Sequence, residues 1–200
     1  MELVCLDLEG VLVPEIWIDF ANVTGIDALK ATTRDISDYD ELMKMRLSVL
    51  DEHNLGINEI QEVISSMAPM DGAKAFLDDI RSRYQCIILS DTFSDFARPL
   101  MKQLDWPTLF CHQLVINNGK ITNYQLRLKD HKRKAVEAFK ALNFNTVAAG
   151  DSYNDTSMLN QADQGILFCP PQNVIDEFPQ FPVVKKYADL TELINKHFLL

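Results

Sequence analysis

Small polar or acidic side chains follow three short aliphatic segments of the 200-residue chain. The three junctions are residues 4–6 before Asp7, residues 87–89 before Ser90-Asp91-Thr92, and residues 147–149 before Gly150-Asp151. If these segments are strands of one parallel sheet, their carboxyl ends meet at a single crevice, where such folds bind ligands. Asp7 and Asp151 would repel each other there, and a divalent cation would relieve the repulsion. Mg²⁺ fits this role because it prefers oxygen ligands and binds through one or two carboxylates together with substrate phosphate.

A second acid, Glu9, stands two residues after Asp7. Residues two apart in an extended chain point to the same side, so Glu9 faces the same centre and can exchange a proton there. The hydroxyl of Ser90, the backbone N–H groups that follow it and a lysine could hold further phosphoryl oxygens. Together these residue types predict phosphoryl chemistry at the crevice.

Short aliphatic segments alternate with amphipathic ones, and this pattern predicts the elements that position the site. Predicted strands cover residues 3–6, 86–89, 146–149, 166–168 and 183–184, with a hairpin from 114–116 to 121–126. Predicted helices cover residues 73–80, 96–104, 132–142, 156–162 and 190–198. Such alternation is typical of an α/β fold with a doubly wound (Rossmann-like) parallel sheet covered by helices on both faces.

The segment between residues 14 and 70 has helical periodicity only. Residues 57–67 carry one apolar stripe, and residues 42–50 suggest another helix. We therefore predict a small helical cap, residues 14–70, inserted after the first strand of a core formed by residues 1–13 and 71–200.

The amino-acid composition of the chain indicates which classes of partner and which cellular location to expect. The chain is 47% hydrophobic and 24% charged, with a formal net charge of −10, so a nucleic-acid partner is not expected. No uncharged apolar run reaches the roughly 18–20 residues that a membrane span needs. The first residues do not resemble a signal peptide, and the four scattered cysteines are expected to be reduced packing residues. We expect a cytoplasmic protein with no membrane or nucleic-acid partner.

Four motifs in order along the chain resemble those of the haloacid dehalogenase-like hydrolase superfamily. They are Asp7-Leu8-Glu9-Gly10-Val11, Ile87-Ile88-Leu89-Ser90, Lys132 at the start of a helix, and Gly150-Asp151-Ser152-Tyr153-Asn154-Asp155. The resemblance implies that Asp7 becomes phosphorylated and that Glu9 acts as acid and base, where the family usually has Asp. It also implies metal ligation by Asp7, Asp151 and the backbone carbonyl of Glu9, and an Asp155 that orients Lys132 or a metal-bound water. Asn154 and Asp155 could alternatively be capping residues of a helix.

The predicted cap is similar to that of the phosphoserine phosphatase subfamily. In that subfamily a Glu soon after the first motif recognises the substrate ammonium, and a cap Arg recognises the carboxylate. Glu15 and Arg46 match these two residues, and Arg34 is a competing candidate for the carboxylate. Without the resemblance, each would be interpreted as a solvated surface charge.

Longer segments look like one bacterial branch of the subfamily, the bifunctional phosphoserine phosphatase/homoserine phosphotransferases. Among them are DLEGVLVPEIWI at 7–18, ILSDTF at 88–93 and AAGDSYNDT at 148–156. This likeness implies hydrolysis of O-phospho-L-serine and phosphoryl transfer to L-homoserine. The residues expected to bind substrate are Glu15, Arg46, Ser90, Asp91, Thr92, Lys132 and Asn154; those expected to carry catalysis are Asp7, Glu9, Ser90 and Lys132.

The sequence is also compatible with other functions. A phosphatase of the same superfamily could act on another small phosphomonoester, such as a sugar phosphate or nucleotide. A receiver-type phosphoacceptor module also uses a strand-end Asp, Mg²⁺, a hydroxyl residue and a Lys, but it lacks a helical insertion of this size and an acid like Glu9. The chain could also form a homodimer.

Overall fold

The structure, a computed structural model, describes residues 1–32, 35, 36 and 38–199. Its strands form one seven-stranded sheet in the order β4-β3-β2-β1-β5-β6-β7. The strands are β1 (Glu2–Leu6), β2 (Gln85–Phe93), β3 (Leu109–Asn117), β4 (Lys120–Gln125), β5 (Asn145–Gly150), β6 (Gln164–Phe168) and β7 (Val183–Val184). All neighbours pair in parallel except β3 and β4, which form the predicted hairpin. The predicted α/β class is confirmed.

Helices cover both faces of this sheet. They are α1 (Ile16–Thr24), α2 (Tyr39–Glu52), α3 (Ile57–Ser65), α4 (Ala73–Arg83), α5 (Ser94–Gln103), α6 (His131–Ala141), α7 (Thr156–Gln161), α8 (Gln172–Glu177) and α9 (Tyr187–Phe198). Successive side chains of a strand point to opposite faces. Accordingly Val4 and Leu6 of β1 pack into one core with α4, α5 and α9, while Leu3 and Cys5 pack into a second core with α6, α7 and α8. The sheet is therefore doubly wound, as predicted.

The order of the strands creates a crevice beside β1. From β1 the chain adds β2 and β3 on one side and then returns to add β5 and β6 on the other. Leu6 pairs with Ile88 of β2 and with Ala149 of β5, so the residues just beyond these three pairs emerge together. Because this is the point where the strand order reverses, it is the expected place for a ligand.

The segment from residue 14 to residue 70 contributes α1, a short 3₁₀ turn at Asp27–Lys30, α2 and α3. It packs against α5 and the β3–β4 hairpin: α3 contacts α5, and the Ile57 N–H donates to the Gly119 carbonyl in the hairpin (2.8 Å). The side chain of Gln61 also donates to the Asp95 carbonyl at the start of α5 (2.9 Å). These contacts join the segment to the rest of the chain. That residues 14–70 act as a cap stays a prediction.

Several boundaries and burials differ from those predicted. Strand β2 continues past Leu89 to Phe93, because Ser90, Thr92 and Phe93 are buried like the aliphatic residues before them. Helix α8 was not predicted, and it is only six residues long. All four cysteines are free thiols, as predicted, but Cys169 is exposed rather than packed. Among the described helices, none combines the length and apolarity needed to cross a membrane.

Candidate active site

Asp7 lies directly beyond the end of β1, at the crevice beside β5. Its backbone N–H donates to the Ala149 carbonyl (2.9 Å), and its carboxylate Oδ1 accepts from the Leu8 N–H (2.8 Å). The residue is only 3% exposed. A rigid buried strand and two backbone hydrogen bonds thus hold this carboxylate in one orientation.

Lys132, in the first turn of α6, reaches the same point from another part of the chain. Its Nζ lies 2.9 Å from Asp7 Oδ1, 2.8 Å from Asp155 Oδ1 and 3.2 Å from Asp91 Oδ2. Burial by itself would lower the pKa of this ammonium, but the three carboxylates outweigh burial and raise the pKa well above its usual value. Lys132 is therefore a fixed positive charge beside Asp7.

Asp155 joins this ion-pair cluster and closes the turn after β5. Its Oδ2 accepts from the N–H groups of Asp151 (3.0 Å) and Ser152 (3.1 Å), while its Oδ1 faces Lys132. The residue is fully buried. Asp155 thus caps the short turn after β5 and contacts Lys132, but its side chain makes no capping hydrogen bond to α7.

Three carboxylates form a cluster with the chemistry of a metal site. Oxygen atoms of Asp7, Asp151 and Asp155 all lie within 4.8 Å of one another. Burial, reinforced by Asp155, raises the pKa of Asp7 well above its ordinary value and that of Asp151 to about 7. A hard divalent cation would relieve the repulsion among these crowded carboxylates, and it prefers oxygen ligands. The three side chains therefore fit such an ion.

Two glycines allow the acids to approach so closely. Gly10 has a left-handed backbone (φ 76°), and a Cβ there would lie 2.5 Å from the Asp151 carboxylate. A Cβ on Gly150 would lie 2.4 Å from Asp155. The close approach of Gly10 to Asp151 thus joins the first motif to the last.

The side chain of Glu9 lies outside the carboxylate cluster, against the start of α1. Its Oε2 accepts from the Ile16 N–H (3.2 Å), which is at the start of α1. Burial, followed by repulsion from Glu15, raises the pKa of Glu9 to about 8, although hydrogen bonds from Ile16 and Thr92 oppose the change. Near neutral pH this side chain is therefore a protonated acid, able to donate a proton.

Ser90, Asp91 and Thr92 lie in the last part of β2, the strand that pairs with β1. Ser90 is 1% exposed, and its Oγ accepts from the Thr92 N–H (3.2 Å). Asn154 donates through Nδ2 to Asp91 Oδ2 (2.8 Å), although the two are 63 residues apart. A hydroxyl, an amide and the Lys132 ammonium thus surround the crevice next to Asp7.

Arg46 of α2 is buried with an incomplete set of partners. Its guanidinium lies over the Trp17 ring at 4.4 Å, and one terminal nitrogen donates to the Ala31 carbonyl (2.8 Å). The Nε atom is buried and has no hydrogen-bond partner within the described residues. Burial lowers the pKa of Arg46 to about 10, and nearby Tyr39, Glu9 and Glu15 counteract this. A buried cation with a spare donor suits an anionic ligand.

The other two predicted recognition residues differ in their placement. Glu15 is exposed at the start of α1, close enough to Glu9 and Asp151 to raise their pKa values. Arg34, the competing candidate for the carboxylate, lies outside the described residues.

Sequence reasoning missed two histidines at the edge of the site. His112 of β3 and His131 of α6 are buried against each other, with ring centroids 4.6 Å apart, and both face Asp91. Only the adjacency of His131 to Lys132 was visible in the sequence. A lone histidine such as His112 carries no signal of this kind, because its partners come from other elements.

Comparisons with known proteins point in the same direction as this geometry. The sequence pattern of the haloacid dehalogenase-like hydrolases matches residues 1–163. Phosphoserine phosphatase ThrH of Pseudomonas aeruginosa is 62% identical over 191 residues, covering 95% of this chain and 93% of the relative. A phosphoserine phosphatase of Pseudomonas syringae pv. tomato is 59% identical over 191 residues, covering 95% and 81%.

A solved structure described as a phospho-aspartyl intermediate analogue of phosphoserine phosphatase is also similar. It has a TM-score of 0.76 at 20% sequence identity, covering 96% of this chain and 98% of the other. At this identity the likeness establishes a shared fold.

Proposed function

Because the chain belongs to the haloacid dehalogenase-like hydrolase family, we propose that it hydrolyses O-phospho-L-serine to L-serine through a phosphorylated Asp7. The observation that carries the proposal is the buried Asp7 carboxylate at the strand-order reversal, 2.9 Å from Lys132 and beside Asp151 and Asp155. The names of the two Pseudomonas relatives support phosphoserine as the substrate.

In the first step an Asp7 oxygen attacks phosphorus and the bond from phosphorus to the serine oxygen breaks. The departing alkoxide takes the proton of Glu9, whose pKa of about 8 keeps it protonated near neutral pH. Lys132 offsets negative charge on Asp7 and on the phosphoryl oxygens, and Ser90 and Asn154 hold those oxygens. The products of this step are serine and an acyl phosphate on Asp7.

In the second step the ionised Glu9 takes a proton from water, and the water oxygen attacks phosphorus. The bond between phosphorus and Asp7 breaks, which releases inorganic phosphate and restores both side chains. L-Homoserine can replace water here, because its hydroxyl can be deprotonated in the same way. It carries the ammonium and carboxylate groups of serine, so the same pocket could hold it.

Mg²⁺ is the cation we propose for the carboxylates of Asp7 and Asp151 and the backbone carbonyl of Glu9. When bound, it would offset charge on the phosphoryl oxygens and reduce the repulsion among the acids. Asp155, which was not among the predicted ligands, would orient Lys132 and the turn after β5 through its hydrogen bonds.

Recognition of the amino acid is assigned to the segment from residue 14 to residue 70, acting as a cap over the strand ends. Arg46 would bind the substrate carboxylate through its unpartnered Nε and a neighbouring N–H. Glu15 would bind the ammonium. Closure of the cap would limit access of water and so favour an alcohol acceptor.

The proposed reaction also implies a cellular location and a set of partners. We place the protein in the cytoplasm, which suits its free thiols. Its partners are then small phosphorylated and unphosphorylated amino acids. A homodimer stays a prediction of the sequence.

The direct test is incubation of the protein with phosphoserine and Mg²⁺, with and without L-homoserine, while inorganic phosphate and phosphohomoserine are measured separately. We expect phosphate release in both reactions and phosphohomoserine only when homoserine is present. Faster hydrolysis of sugar phosphates or nucleotides than of phosphoserine would contradict the assignment of phosphoserine as the substrate. A stable phosphoprotein without turnover would identify a phosphoacceptor module.

A further inference from the structure

Two buried histidines and Asp91 form a cluster next to the proposed phosphoryl site. His112 lies in β3 and His131 is the first residue of α6, and they are 3% and 5% exposed. Both direct Nε2 towards the Asp91 carboxylate. The proposed reaction uses neither histidine, so their burial beside a charged residue requires another explanation.

The two oxygens of Asp91 face different partners. Oδ1 lies 3.0 Å from His131 Nε2 and 3.6 Å from His112 Nε2. Oδ2 lies 3.2 Å from Lys132 Nζ and accepts from Asn154 Nδ2 at 2.8 Å. The histidines hold one oxygen, which leaves the other directed at the two residues proposed to bind phosphate.

A backbone hydrogen bond determines where the proton of His112 lies. The Arg127 N–H donates to His112 Nδ1 (3.1 Å), so Nδ1 carries a lone pair and the proton of the neutral ring is on Nε2, facing Asp91. A metal ion bound at Nε2 would require the proton on Nδ1, where it would meet the Arg127 N–H. The cluster is therefore suited to hydrogen bonding to Asp91 and not to a metal ion, although its atoms lie close enough to hold one.

The charge on Asp91 is consistent with this role. Burial would raise its pKa, but Lys132 together with hydrogen bonds from His112, His131 and Asn154 lowers it well below its usual value. Asp91 is thus an anion held by His131, Lys132 and Asn154 with His112 in contact at 3.6 Å, and rotation of its carboxylate would disturb all four contacts.

We propose, on the premise of the proposed function, that His112 and His131 are positioning residues for the phosphoryl transfer. They hold Asp91 Oδ1 so that Oδ2 keeps Lys132 and Asn154 aligned beside Asp7. We assign neither histidine a contact with the substrate amino acid. Loss of their hydrogen bonds should therefore lower kcat, because the phosphate ligands become misaligned, and leave recognition of the ammonium and carboxylate unchanged.

The test compares His131→Ala, His131→Gln and the exposed control His53→Ala. We expect His131→Ala to lower kcat about tenfold with little change in KM, equally for phosphoserine and p-nitrophenyl phosphate. His131→Gln should recover most of kcat, because its amide N–H can donate to Asp91. His53→Ala should match the unmodified protein. If Gln fails to recover kcat while its melting temperature is normal, the hydrogen bond is not what matters and the proposal is overturned.

A double-mutant cycle tests whether His131 acts through Asp91. In Asp91→Ala the histidine has nothing to position, so adding His131→Ala should lower kcat no further. Additive losses would overturn the proposal. Failure of the proposed function itself has a different signature, since the unmodified protein would then not hydrolyse phosphoserine.

Discussion

Lys132 Nζ lies 2.9 Å from Asp7 Oδ1, although 125 residues separate the two in the sequence. Both side chains are buried, and Asp155 and Asp91 complete the surroundings of the ammonium. An attacking carboxylate placed against a fixed cation is held in position before substrate binds. The contact exists because β1 ends beside β5 while α6 begins near the end of β2.

Glu9 provides a pH-dependent prediction. Its ordinary pKa of 4.5 is raised to about 8, so the proton it must donate is present below about pH 8 and is lost above it. Formation of the phosphoenzyme from phosphoserine should therefore be constant near neutral pH and fall as pH rises past about 8. Rapid-quench kinetics across this range measure the decline directly.

The matched variant is Glu9→Gln, which keeps the shape and removes the proton. It should slow the reaction of phosphoserine by about 10²–10⁴-fold and remove the alkaline decline. p-Nitrophenyl phosphate should be affected less in this first step, because its leaving group needs no proton. Near-normal turnover of phosphoserine by Glu9→Gln would exclude Glu9 as the acid.

Arg46 provides a prediction about substrate selectivity. Arg46→Ala should raise KM for phosphoserine far more than for p-nitrophenyl phosphate, which has no carboxylate to bind. Arg46→Lys keeps the charge but loses the paired N–H donors, so it should recover only part of the affinity. Equal changes in KM for both substrates would refute the assignment of Arg46 to the carboxylate.

The contact between Gly10 and Asp151 can be tested with Gly25 as a matched control. Both have left-handed backbones (φ 76° and 71°), but a Cβ on Gly25 would meet nothing within 4 Å, whereas one on Gly10 would meet the Asp151 carboxylate. Each change to Ala should cost about 1 kcal/mol of backbone strain.

Activity should separate the two glycine variants. Gly25→Ala should retain full phosphatase activity, while Gly10→Ala should lose most of it because Asp151 is displaced. Melting temperatures and initial rates measured on the same preparations check both points. Equal activity in the two variants would show that the contact between Gly10 and Asp151 is unimportant.

The pKa of Asp151 predicts how metal binding depends on pH. In the metal-free protein it is raised to about 7, and a cation binds the ionised form, so protons compete with Mg²⁺ below about pH 7. The increase in melting temperature caused by Mg²⁺ should therefore require more metal at pH 6 than at pH 8. Chelation of the metal should abolish phosphatase activity, and added Mg²⁺ should restore it.

Asp151→Asn should weaken the effect of Mg²⁺ at both pH values and reduce its pH dependence. Asp27→Asn, a change at an exposed acid that pairs with Lys30 and is not part of the cluster, should leave the Mg²⁺ response intact. Identical metal affinity at pH 6 and pH 8 in the unmodified protein would contradict the role of Asp151.

The sheet and the carboxylate pair could be predicted because each is encoded locally. Aliphatic segments that end in Asp7, Ser90 and Asp151 show both a buried strand and the polar group at its end. The doubly wound topology then brings these ends together without further information. The confirmed α/β class and the proximity of the two acids follow from such short patterns.

The partners of the site were harder to predict because they depend on contacts between distant elements. Lys132 stands among Lys129, Arg133 and Lys134, and only its place in the predicted helix, where the family motif has a lysine, singled it out. The contact of His112 with Asp91 depends on the pairing of β3 with β2, which no local pattern reveals. Strand β2 was predicted too short because Ser90, Asp91 and Thr92 are polar although they lie within the strand.

The most direct test of the account is to trap the phosphoenzyme. After millisecond mixing with ³²P-labelled phosphoserine and Mg²⁺ and an acid quench, the label should be stable in acid, labile to base and hydroxylamine, and located in the peptide that contains Asp7. Asp7→Asn should bind no label and release no phosphate while melting as a folded protein. Label on another residue, or continued turnover in Asp7→Asn, would contradict the assignment of Asp7 as the nucleophile.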